Sequence, residues 1–212
     1  MAIPARSKFQ METKPAPRQG VTLYCSQESL ACIWTRIVLA EKDVDGARLV
    51  WVAPGKSNPE LAMLNPAQTL PTLTDRETVI HPAQVIVEYL DERYPHPRLL
   101  PPDPSVRARL RMAISRFEGD FFPWAETALH GKAAEARDAK VQLAKALVAT
   151  SRLFPVRGWF IAPDFNLADC AWAALFSRLR ELDLKLTGDF HHLIKYAERL
   201  FARPSVQRTL GG

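Results

Sequence analysis

A chain of 212 residues, 47% hydrophobic and 24% charged, can bury one large core or two smaller ones. It holds no apolar run of membrane-span length and opens without the apolar core of a signal peptide, so no membrane contact and a cytoplasmic location are expected. Three cysteines with no Cys-x-x-Cys spacing point away from a disulfide framework or a zinc site, no metal is assigned, and +3 of the net +5 charge falls in residues 1–20.

That first segment carries Arg6, Lys8, Lys14 and Arg18 against Glu12, is rich in proline and polar residues, and is predicted to be a disordered basic tail. A basic tail without a recognition motif is a weak footprint, and direct nucleic-acid binding is not expected. Val21–Cys25 reads as a strand by its β-branched and aromatic content. Residues 29–42 follow as a helix with Leu30, Ile33, Ile37 and Val38 at helical spacing and Ser29 placed to cap it. Residues 48–52 are a second strand and 59–64 a short helical turn. Next comes Asn65-Pro66-Ala67-Gln68-Thr69-Leu70-Pro71-Thr72-Leu73, in which Leu70-Pro71 is a candidate cis peptide in a tight turn. A proline opening a strand leaves the backbone before it free to pair with something extended. Residues 72–74 and 78–80, joined by Asp75-Arg76-Glu77, form a hairpin. A helix over 82–93 has Pro82 in its first turn and Val85, Ile86, Tyr89 and Leu90 inward. The order is that of a thioredoxin-like α/β domain, residues 21–97, with a mixed sheet covered on both faces.

Residues 94–104 contain too many prolines for a helix, and 98–104 are read as a linker. No strand signal returns, so residues 105–212 are predicted to be all-helical. Ser105 is placed to cap a long helix with Leu110, Ile114 and Phe117 inward, ended or kinked by Pro123. A helix over 132–154 carries Val141, Ala144, Leu147 and Val148 on one side. Phe165-Asn166-Leu167-Ala168-Asp169-Cys170 is a helix start: Asn166 caps, Asp169 reaches back, and Phe165 staples onto Cys170. Helices over 167–182 and 191–201 complete the chain. His191-His192 lacks acidic or cysteine neighbours at ligand spacing.

Arg36-Ile37-Val38-Leu39-Ala40-Glu41-Lys42, the run from Asn65 to Leu73, and the Phe165–Cys170 start together resemble the glutathione-transferase superfamily, over nearly the whole of 21–210. The run Glu88-Tyr89-Leu90-Asp91-Glu92-Arg93-Tyr94-Pro95-His96-Pro97 is more specific, because it continues past a helix into a loop where packing does not dictate sequence. It resembles one branch of that superfamily, the stringent starvation protein A family. This resemblance implies a two-domain homodimer, or a pair with a paralogous subunit, that lacks transferase activity. It also implies association with RNA polymerase holoenzyme bearing its principal sigma factor, and altered promoter choice during starvation or acid stress. Tyr94, Pro95, His96 and Pro97 match the family's partner-binding surface. The rival expectation is a glutathione-dependent transferase acting on electrophilic small molecules.

Such a transferase needs a hydroxyl or thiol at the head of its first helix, where the helix dipole favours a thiolate. Ser29 aligns with that position, with Cys25, Ser26 and Cys32 as neighbours; Ser29 also reads as a plain cap and the cysteines as buried hydrophobes. The backbone before Leu70-Pro71 meets the second need in form, or serves the fold alone. The third need, an acidic residue followed by a hydroxyl at the head of the later helix, falls on Pro82 and Ala83. Each charge-assisted hydrogen bond lost there is worth roughly 1.5–3 kcal/mol. Two of them amount to a hundredfold or more, on the order of 3 kcal/mol. No cofactor is therefore expected, and glutathione only under the rival. Read without the resemblance, residues 94–97 are either a staple between domains or a stiff ridge presenting His96; Arg98, Arg107 and Arg111 either extend that ridge or form a solvated face.

Overall fold

A computed structural model describes residues 20–44, 46–184 and 190–211. The tail expected over 1–20 lies, apart from Gly20, outside them. The first half runs β1 (Val21–Cys25), α1 (Leu30–Glu41), β2 (Arg48–Trp51), α2 (Pro59–Leu64), β3 (Thr72–Asp75), β4 (Thr78–Ile80) and α3 (Ala83–Arg93). The four strands form one sheet in the order β2-β1-β3-β4, with β1 and β2 parallel and the other pairs antiparallel. Strand alternation explains the two layers. Leu23, Leu73 and Ile80 join α1 and α3 in the main core, while Tyr24 and Val52 turn to the other face and pack with Leu61 of α2.

The second half is helical: α4 (Pro104–Arg116), α5 (Phe122–His130), α6 (Ala133–Thr150), α7 (Leu167–Ser177), α8 (Leu179–Leu182), α9 (His191–Phe201) and α10 (Pro204–Leu210). This is an α/β thioredoxin-like layer packed on an all-α one, the glutathione-transferase architecture. Trp172 of α7 is the hub of the helical core, with the rings of Phe117, Phe154 and Phe121 centred 4.7, 4.8 and 5.2 Å away. The halves are stitched together by α1 against α7. The Trp34 indole N–H donates to the Leu167 carbonyl at 3.0 Å, and its ring meets Phe122 edge-on.

Several expectations shift by a residue or a face. Ser105 does not cap α4; Asp103 does, accepting the Val106 N–H at 2.8 Å with Pro104 in the first turn. Pro82 precedes α3 as its N-cap instead of entering it. The buried face of α3 is Ala83, Ile86, Val87 and Leu90; Val85 is half exposed. In α6 the inward residues are Ala139, Leu143 and Leu147, whereas Val141 and Val148 face out. Between α4 and α5 lies one wide π turn, Phe117–Phe121, where the Phe122 N–H reaches back to the Phe117 carbonyl. Pro123 explains it: proline has no N–H for the next α-type bond, and its ring needs room beside the preceding turn. The helix expected over 167–182 breaks at Arg178, and α10 has no counterpart in the sequence reading.

The start of α7 forms as the sequence indicates. Asn166 Oδ1 accepts the Ala168 and Asp169 N–H groups, and Asp169 Oδ2 accepts the Asn166 N–H at 2.9 Å. Asp169 also accepts the Phe160 N–H at 2.9 Å and the Tyr196 hydroxyl. Burial pushes its carboxyl up to about 7, against the pull of those three donors.

Candidate functional site

Two places concentrate the residues singled out from the sequence, and they sit at opposite ends of α3. At its N-terminal end is a cleft of about 490 Å³ that brings together Ser29, Leu70, Pro71, Pro82 and Ala83. Leu70-Pro71 is cis, as are His81-Pro82 and His96-Pro97. Asn65 builds the turn: its Nδ2 donates to Thr69 Oγ1 at 2.8 Å and to Thr72 Oγ1 at 3.0 Å, and the Thr72 hydroxyl donates to the Thr69 carbonyl at 2.6 Å.

The heads of α1 and α3 both point at this cleft, and one backbone donor at each is already taken. Glu126 Oε1 accepts the Leu30 N–H at 2.8 Å, and Glu118 Oε1 accepts the Gln84 N–H at 2.8 Å. These first-turn donors, at the positive end of the helix dipole, are where an incoming anion would bind. Here two carboxylates from the helical half take one such donor at each head. Burial raises the Glu118 carboxyl above its ordinary value, opposed by the Gln84 hydrogen bond. Pro82 and Ala83 add no side-chain donor.

The position expected for a nucleophile, Ser29, lines the cleft. Ser29 makes no side-chain cap, although its N–H donates to Ser26 Oγ at 3.2 Å. Cys32 is fully buried with Sγ accepting the Ser26 N–H at 3.3 Å, and burial pushes its thiol up. Burial also pushes the Cys25 thiol up to about 12, helped by neighbouring Cys32. Neither sulfur has the exposed, electropositive setting of a reactive thiolate.

At the C-terminal end of α3, Tyr94 closes the helix and Pro95, His96 and Pro97 stand in solvent. A buried ion pair fixes this exposed turn from beneath. Lys42 Nζ, at the end of α1, meets Asp91 Oδ1 of α3 at 2.6 Å and also donates to the Pro97 carbonyl. Asp91 further accepts the Leu99 and Leu100 N–H groups at 2.7 and 3.0 Å, and the Leu99 carbonyl accepts the Leu167 N–H at 3.2 Å. The ridge is thus clamped on both sides of His96 and its far strand is tied to α7. Arg111 turns back to Glu88 at 2.6 Å, and Arg107 donates to the Pro101 carbonyl at 2.9 Å.

The roles of Glu118, Glu126, Lys42 and Asp91 are not legible in the sequence, although Lys42 and Asp91 lie within runs that carry the resemblance. Each finds its partner through the fold, although an acid flanked by Phe117, Phe121 and Phe122 is a signal that Glu118 is not ordinary surface. Among the described residues, no group of three or more His, Cys, Asp and Glu is arranged to hold a metal, and no helix is long and apolar enough to cross a membrane.

An α/β layer with a cis-proline turn ahead of its third strand, packed on a helical layer, is the architecture of the glutathione S-transferase class. The chain matches the family models of the glutathione S-transferase N-terminal domain over residues 23–98 and C-terminal domain over 103–204. It also superposes on the theta class enzyme of Xanthomonas axonopodis pv. citri, a structure with glutathione bound. The TM-score is 0.79, at 21% identity over 92% of this chain and 99% of that one. Within the class, it is 38% identical to the stringent starvation protein A homolog of Pasteurella multocida and 37% identical to that of Histophilus somni, each match covering 92% of both chains. The chain belongs to the stringent starvation protein A family of the glutathione S-transferase superfamily.

Proposed function

We propose that this chain is a noncatalytic regulator of transcription that acts by protein contact. Tyr94, Pro95, His96 and Pro97 dock on RNA polymerase holoenzyme carrying the principal sigma factor, under starvation or acid stress. The working unit is a cytoplasmic homodimer or a pair with a paralogous subunit. The observation that carries the reading is the clamp under the ridge. A buried lysine–aspartate pair with further hydrogen bonds to Pro97, Leu99 and Leu100 is a costly way to hold a solvent-exposed turn, and it pre-orders that turn for a partner.

The same molecule is poorly equipped to bind glutathione. That tripeptide brings two carboxylates, an ammonium and a thiol, and its carboxylates meet helix heads at which Glu126 and Glu118 already accept the Leu30 and Gln84 N–H groups. For those carboxylates the like charge disfavours entry. One observation favours the rival transferase reading: among the described residues, the backbone of Leu70 makes no hydrogen bond of its own, so the strand-like peptide site of the cleft is open.

Calorimetric titration with glutathione, run beside surface plasmon resonance on immobilised holoenzyme, tests both. The expected result is specific binding to holoenzyme and no heat from glutathione at micromolar concentrations. Micromolar glutathione binding, or no holoenzyme binding, overturns the proposal.

A further inference from the structure

A second surface, remote from the α3 sites, has the features of a strand acceptor. β2 is an edge strand, and its outer side is unpaired among the described residues. The Val52 N–H donates to the Cys25 carbonyl at 2.9 Å, which fixes the alternation of the parallel ladder: Val50 and Val52 bond inward, so the N–H and C=O of Leu49 and Trp51 point to the free edge. The side chains of those same two residues are 40% and 47% exposed and line a groove of about 980 Å³ between β2, α1 and the last helices.

The groove has a charge. Arg36, Arg178, Arg180 and Arg208 line it against Asp43 and Glu181. Arg36 lies over the Trp51 ring at 5.0 Å and donates to the Thr209 carbonyl at 2.6 Å, so it holds that indole upright at the mouth. Arg178 pairs with Glu181 at 3.0 Å and Arg208 with Asp43 at 3.3 Å, which leaves Arg36 and the exposed Arg180 as the charge in excess.

We propose that this edge and groove take an extended acidic segment of a partner protein as an added strand. Alternating donors and acceptors on an open edge recognise peptide backbone, whereas a phosphodiester chain offers acceptors alone. Every second side chain of the added strand falls over the groove, beside Leu49 and Trp51, and carboxylates at those positions meet the arginine rim. The basic residues 1–20 of this chain, with a net charge of +3, are the wrong sign to fill it.

The test uses the full chain and three end-capped peptides: Asp-Leu-Asp-Phe-Asp-Leu-Asp, the same with every Asp replaced by Lys, and the first with Phe replaced by Pro. Calorimetry is expected to give binding for the acidic peptide only, slower hydrogen exchange at the Leu49 and Trp51 amides in its presence, and affinity weakened about tenfold by Trp51→Ala or by Arg180→Glu. Arg180 is exposed, so its variant reports on the rim even if Trp51→Ala disturbs folding. The proposal is overturned if the acidic peptide does not bind or the lysine or proline peptide binds as well. It is equally overturned if oligothymidylate binds more tightly than the acidic peptide.

Discussion

Glu118 and Glu126 each satisfy one orphan N–H at a helix head, and in doing so each places a negative charge where a transferase would seat its substrate. Replacing both by glutamine keeps an acceptor at each helix while removing the charge. Glu118→Gln/Glu126→Gln is expected to tighten glutathione binding about tenfold or more over wild type by calorimetry. No change would show that the two acids are not what closes the cleft. Asp169 offers a second residue-scale test. Its folded value near 7 exceeds the ordinary 3.8, so the folded chain holds that proton more tightly than the unfolded chain. Its contribution to stability is therefore full at low pH and falls as pH rises toward 7. The Tyr196 hydroxyl supports the ionised form, so Tyr196→Phe should cost about 1.5–3 kcal/mol, more at pH 8 than at pH 5.5, in urea denaturation. An equal loss at both would mean the carboxyl stays in one protonation state. The Asn166–Asp169 box was legible because its partners lie three residues apart. The two glutamates were not, because their partners are 34 and 96 residues away.

At the scale of elements, α3 is the beam that carries both sites: the cleft at Ala83 and the ridge after Arg93, about 16 Å apart along its axis. Its sequence supports two overlapping stripes, one through Val85, Ile86 and Tyr89 and one through Ala83, Ile86 and Val87. Packing against α1 selects the second, which no periodicity can decide. The same ambiguity turned Val141 and Val148 of α6 outward. Local chemistry was more faithful: strands β1, β3 and β4, the helical turn α2 and the cis-proline turn stand within a residue or two of where turn and propensity signals put them. Below the ridge, Lys42→Met leaves Asp91 buried without its counter-ion, and breaking such a pair costs about 3–5 kcal/mol. Faster amide exchange at Leu99 and Leu100 is expected, along with weaker holoenzyme binding although His96 is untouched. Unchanged exchange at those amides would show that the clamp does not hold the ridge.

The whole molecule unites its halves through one continuous core that runs from Leu23 and Ile37 to Trp172 and Tyr196. A core shared in this way is expected to couple the halves into one cooperative unit, the case in which different probes report coincident transitions. Far- and near-ultraviolet circular dichroism should therefore melt in one coincident transition, and Trp172→Ala, which empties the aromatic hub, should lower it by the equivalent of about 3–5 kcal/mol. Two separated transitions would instead make the halves independent bodies. Fold class and the two-layer plan were readable from the alternation of strand and helix signals and from the single change of texture at the prolines. The functional balance was not, since it rests on which side chains the helical half sends back to the α/β half. The most direct measurement compares holoenzyme affinity of wild type, His96→Ala and Glu118→Gln/Glu126→Gln in one experiment. Docking through the ridge predicts a loss of about tenfold or more for His96→Ala and none for the cleft variant. Unaltered binding by His96→Ala, or a loss confined to the cleft variant, would contradict it.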